Sequence, residues 1–192
     1  MFVTVDPGLG GTGYAVFSSE SSVLLPILTG VVSPLTNQEK LWPQRQTEVM
    51  EKLFPILINN YFVKGKWQIT KAYIELPTMF MTPKGMACAT GQNGADSSLV
   101  KLAVLVGRLY EMFDSESIPV ELIAVNEWKG TLPKKAVSAR IQERLHLSCS
   151  GIAKFGDHAC DAVGMGLYVK KVFKANTGDK NERTKPPTRR YY

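Results

Sequence analysis

The chain has 192 residues, is 44% hydrophobic, and sets 23 Lys and Arg against 17 Asp and Glu for a formal charge of +6. That length can bury one substantial core but not two full domains. The absence of an apolar run of membrane-spanning length, or of a basic N-terminal region leading into an apolar signal core, argues against membrane and secreted classes and for a soluble, cytoplasmic protein.

The three cysteines, Cys88, Cys149 and Cys160, have no paired zinc or redox spacing, and their odd number suits reduced thiols in an intracellular chain. The positive balance favours a polyanionic partner such as nucleic acid. Residues 2–6 and 12–18 are rich in Val, Phe and Tyr and flank the turn "PGLGG", which predicts a two-stranded hairpin. A third strand is expected within "VLLPILTGVV", with Pro26 confining it to an edge or bulge. From Gln38 to about Tyr61, Leu41, Val49, Leu53, Ile56 and Leu57 recur at helical spacing, with Pro43 near the start and Pro55 predicting a kink. "ITKAYIEL" reads as a fourth, buried strand, and Leu76 to Gly94 as a long mobile or functional loop.

A helix follows from about Ala95 to Glu116, with Leu99, Leu102, Ala103, Val106, Leu109, Tyr110 and Phe113 on one face. Its apolar face is wider than one sheet contact needs, which makes it a candidate subunit interface. Next come a strand in "PVELIAV", a turn from Asn126 to Leu132 and a helix from about Pro133 to Leu145. The last helix lies in "GDHACDAVGMGLYVKKVF". The pattern predicts one domain over residues 1–174 and a flexible basic tail over 175–192, where Lys180, Arg183, Lys185, Arg189 and Arg190 outweigh Asp179 and Glu182. Such a tail can track a phosphate backbone, or be an idle solvated terminus.

Two predicted strands end in an acid, Asp6 and Glu75. On the last helix, Asp157, His158 and Asp161 are spaced to share one side. Singly, each has a plainer reading: Asp6 as a turn residue, Glu75 as the partner of a lysine, Asp157 as an acid favoured by the helix dipole, His158 as an ordinary satisfied histidine. Brought together, they would repel strongly unless a divalent cation held them.

"VDPGLGGTGYAVF", "YIELP", "ADSSLVKLAVLVGRLYEMF" and "DHACDAVGMG" resemble, in order and spacing, the RuvC-type Holliday junction resolvases of the ribonuclease-H-like superfamily, over about residues 1–172. The resemblance implies an α/β, ribonuclease-H-like nuclease domain over residues 1–174, with a mixed five-stranded sheet and helices on both faces. It implies Asp6, Glu75 and Asp161 as metal ligands and a fourth ligand three residues before Asp161, which is His158; Asp157, one residue earlier, is the alternative. It further implies a homodimer with one site per subunit, a four-way DNA junction as substrate, and products with 5′-phosphate and 3′-hydroxyl ends. Two Mg²⁺ ions per site would serve an in-line displacement at phosphorus, with Mn²⁺ tolerated. No membrane partner or small-molecule cofactor is expected.

DNA contacts are expected from Lys84 in the long loop, from Lys129, and from Lys134, Lys135, Arg140 and Arg144 on the following helix, whose start "TLPKK" offers free backbone amides. Phe80, shortly after Glu75, stands near where the resolvases carry an aromatic that probes the crossover. Three other readings compete: a related nuclease acting on RNA or other branched DNA, a catalytically silent junction-binding module, and an ATP-binding phosphotransferase of the actin and sugar-kinase type. The last shares only the opening Asp-x-Gly motif and needs a second lobe for which this length has no room.

Overall fold

The computed structural model describes residues 1–20, 22–35, 41–77, 81–82, 85–86, 98–130, 132–145 and 156–173, with 81–82 and 85–86 described as backbone. The order is β1 (Phe2–Asp6), β2 (Thr12–Phe17), β3 (Leu28–Val32), α1 (Trp42–Tyr61), β4 (Phe62–Val63), β5 (Lys66–Trp67), β6 (Lys71–Leu76), β7 (Met81–Thr82), β8 (Gly85–Met86), α2 (Ser98–Ser115), β9 (Val120–Ala124), α3 (Val125–Trp128), α4 (Lys134–Leu145) and α5 (Gly156–Val169). Five strands form one sheet in the order β3-β2-β1-β6-β9. β3, β2 and β1 pair antiparallel, whereas β1, β6 and β9 pair parallel. This is the mixed, ribonuclease-H-like α/β sheet expected from the sequence, with helices on both faces.

Strand period does most of the sorting. Val3 and Val5 of β1, with Ala72 and Ile74 of β6, face α1 and α2, where Val49, Leu53, Leu57, Leu105, Leu109 and Phe113 complete one buried cluster. Phe2 and Ile123 face the other way with Ala15 and Phe17 of β2, packing against Trp128, Ile141, Met165 and Leu167 of α3, α4 and α5. Completely burying one Leu side chain contributes about 1.5–3 kcal/mol. The two clusters therefore clamp the sheet from both sides.

β3 lies at the sheet edge, beyond Pro26, as the proline requires. Gln44 Oε1 accepts from the Leu41 backbone N–H at 3.1 Å at the start of α1. Pro55 stands inside α1 on its exposed side, where water can reach the carbonyl that the proline leaves unpaired, and the helix runs on to Tyr61. The chain departs from expectation in four places. A short β4–β5 hairpin follows α1, and the β7–β8 ribbon lies within the segment read as a loop. The turn expected from Asn126 begins instead as the single-turn helix α3, which buries Trp128 completely. On α2, Tyr110 and Ala103 are exposed, because the sheet takes only the stripe through Leu105, Val106, Leu109 and Phe113. The tail from 175 onward, Cys88 and Cys149 lie outside the described residues; Cys160 is a buried free thiol. Among the described residues no helix is long and apolar enough to cross a membrane.

Candidate active site

Three elements bring the acids together. The parallel register pairs Val5 with Ile74, so one step further along Asp6 and Glu75 stand side by side at the ends of β1 and β6. Both belong to the alternation that faces α5, the same one as Phe2, Thr4 and Tyr73. α5 can settle on this face because β2 carries glycine at the crossing: a Cβ on Gly13 would collide with the His158 carbonyl. One turn on, the buried Thr4 hydroxyl donates to the Ala162 carbonyl at 2.8 Å and fixes the helix along its length. The first turn of α5 is thereby held over Asp6.

His158 Nδ1 lies 2.7 Å from Asp6 Oδ2. Asp6 is buried, and burial raises its carboxyl above the ordinary range; Asp161 adds to the rise, while His158 and Lys129 oppose it. The hydrogen bond to Asp6 in turn raises the imidazole of His158. Both shifts favour the protonated forms of the pair. Glu75 is raised to about 7, first by burial and then by the charge of Asp6. Lys129 and a hydrogen bond from Trp128 Nε1 to Glu75 Oε2, at 2.8 Å, moderate that rise. Asp161 reaches Lys129 Nζ at 3.3 Å. Asp6, Glu75 and Asp161 thus sit within one another's field, each with its own polar partner.

The remaining predicted residues divide around this centre. Asp157 does not turn inward with His158 and Asp161: its side chain is 76% exposed and meets Lys134 at 2.8 Å, and that hydrogen bond lowers its carboxyl. Burial alone would lower Lys134, yet Asp157, Asp161 and Asp6 raise it on balance. Lys135 and Arg144 are exposed on α4, and Arg140 is half-buried there. Phe80 and Lys84 lie outside the described residues. Among the described residues, no group of three or more His, Cys, Asp or Glu side chains is arranged to hold a metal ion as it stands. Lys129 and His158 instead face the acids.

Sequence reasoning missed Trp128. A buried indole N–H needs an acceptor, and a tryptophan four residues past the end of β9 was the available signal. Its ring also carries Lys129, whose Nζ stands 5.1 Å from the ring centroid. One residue thus orients Glu75 and supports the cation between the acids.

No protein-family model matches this chain, and no curated protein matches its sequence. Solved structures do resemble it. Thermus thermophilus RuvC in complex with a Holliday junction substrate superposes with a TM-score of 0.60 at 15% identity, covering 90% of this chain and 99% of that one. A second Thermus thermophilus RuvC structure gives 0.54 at 14% identity over the same shares. At such identities the likeness establishes the fold.

Proposed function

We propose that this protein is a metal-dependent endonuclease that cuts branched DNA, with the four-way junction as its principal substrate. The observation that carries the reading is the paired burial of Asp6 and Glu75 at one level of the sheet, with Asp161 facing them from α5. Folding carboxylates into such a site costs stability, and a shared cation is the usual compensation. The likeness to RuvC, bound in one structure to a Holliday junction, points the same way.

The donor set fits hard divalent ions: oxygens from Asp6, Glu75 and Asp161, with His158 as the borderline nitrogen ligand. Bound there, Mg²⁺ or Mn²⁺ would supply Lewis-acid stabilisation of charge developing on the phosphate oxygens. The chain's own groups do the rest. Trp128 holds the Glu75 carboxylate in place, and His158 with Asp6 holds or releases a proton beside the phosphate. Lys129 covers the acids and can turn to an incoming phosphate, while Lys134 and Lys135 add positive charge at the start of α4. A four-way junction offers two strands for symmetric cutting, so two copies would supply one site each, and Val104 and Tyr110 on the outer side of α2 are candidates for their contact.

The test compares cleavage of a labelled four-way junction, a flap, a linear duplex and an RNA–DNA hybrid in Mg²⁺. The junction should be cut fastest, and Asp6→Asn or Asp161→Asn should reduce cutting by at least about a hundredfold while junction binding persists. Substantial cleavage by both variants, or no cleavage of any substrate by the parent chain, overturns the reading. Because Asp157 is turned to solvent, His158→Ala should lose most activity and Asp157→Ala little.

A further inference from the structure

Two ion pairs border the carboxylates, and they are built differently. Lys129 and Asp161 meet at 3.3 Å with both side chains largely covered, so that pair belongs to the centre. Lys134 and Asp157 meet at 2.8 Å with side chains 53% and 76% exposed, so that pair stands at the rim, open to solvent. It is nevertheless close to the acids. Asp157 directly precedes His158, whose Nδ1 is 2.7 Å from Asp6, and the charges of Asp161 and Asp6 both act on Lys134. A strand that brings a phosphate to Asp6 therefore comes within range of this pair.

An exposed lysine in that place is a natural contact for a DNA phosphate, and in the free protein it is already taken. A carboxylate offers a lysine what a phosphate does, anionic oxygens that only accept. The hydrogen bond to Lys134 also lowers the Asp157 carboxyl, so the acid stays ionised at neutral pH. The first turn of α5 favours an acid through the helix dipole, but the dipole gives no reason for the side chain to reach across to α4. We propose that Asp157 limits DNA affinity: it holds Lys134 in the free protein and must give it up to a backbone phosphate of the strand being cut. The inference rests on the nuclease reading above and adds a control of DNA affinity at that same site. Because an exposed pair is weak, DNA can break it, and the result is a modest, salt-dependent reduction in affinity.

The experiment titrates a labelled four-way junction with the full chain over a range of salt concentrations, without divalent cations so that nothing is cut. Asp157→Asn should tighten binding about threefold to fivefold at low salt, and steepen the fall of log affinity with log salt by up to about one. In a chain that already carries Lys134→Met, the same change should tighten binding by less than about 1.5-fold, because the cation it would free is gone. An equal gain in both backgrounds means that Asp157 merely repels DNA, and overturns the proposal. So does an Asp157→Asn chain that melts at a lower temperature yet binds as the parent does, which assigns the acid to the helix dipole. Cleavage by the parent chain in Mg²⁺ is read separately: a chain that cuts junctions but shows no coupling between Asp157 and Lys134 loses the affinity control and keeps the nuclease, whereas one that neither binds nor cuts junctions loses both.

Discussion

The two faces of the central sheet are built from the same strands and do opposite things. On the face toward α1 and α2, β1 and β6 contribute Val3, Val5, Ala72 and Ile74 to a cluster whose sheet residues are nearly all aliphatic. On the face toward α5, the same two strands contribute Phe2, Thr4 and Asp6, and Tyr73 and Glu75, so polarity rises toward the strand ends until two acids stand side by side. One face stabilises the sheet, and the other gives up stability to hold charge in a confined place. The difference shows how a fold supports buried charge: the cost on one side is offset by packing on the other.

Removing packing from the apolar face should have the largest effect on stability. Leu53→Ala leaves a hole beneath α1 and should lower unfolding free energy by about 2–5 kcal/mol, with cleavage per folded molecule unchanged. Chemical denaturation alongside an activity assay checks both halves, and a selective loss of activity would mean that the faces are not separable.

The polar face should respond in the opposite sense. In the folded chain Glu75 keeps its proton to about 7, whereas an unfolded Glu loses it near the ordinary value of 4.5. Between those values the native state binds more protons than the unfolded state, so this group costs stability as pH rises, and the cost is complete above about 7. Without divalent cations, Glu75→Gln should therefore raise stability at pH 8 by about 1–3 kcal/mol, have little effect near pH 4.5, and abolish cutting. Thermal melts at the two pH values decide it; an equal shift at both would assign the effect to packing.

Trp128→Phe keeps most of the aromatic volume and removes the hydrogen bond to Glu75. It should slow cleavage about tenfold and move the acidic limb of the pH–rate profile upward, because Glu75 loses a group that lowers its pKa. An unchanged profile would reduce Trp128 to a packing residue. The smallest effect belongs to the exposed Lys71–Glu121 pair at 2.6 Å, whose removal by Lys71→Ala should change stability by less than about 1 kcal/mol.

Much of this organisation was legible in the chain. The Val-rich strands, the glycine turn between β1 and β2, and the periodic helices announce the α/β sheet, because apolar period reports directly which residues face a core. Asp6 and Glu75 stood out as charges at the ends of buried strands, and Asp161 as an acid on the closing helix. Trp128 did not stand out: a tryptophan just past a strand signals that its indole N–H needs an acceptor, but not which one, until the partner is found across the fold. Helical spacing groups Asp157 with His158 and Asp161, but spacing places a side chain on an arc, and Asp157 turns outward to meet Lys134.

The sequence by itself determined the central sheet, its longer helices and the acids that strand period sends to one face, because those depend on local alternation and on burial. Only the tertiary structure decided that Gly13 admits α5 onto β2 and that Trp128 reaches Glu75. Each of these is a contact between segments far apart in the chain, set by close approach and hydrogen-bond geometry, which no local pattern encodes.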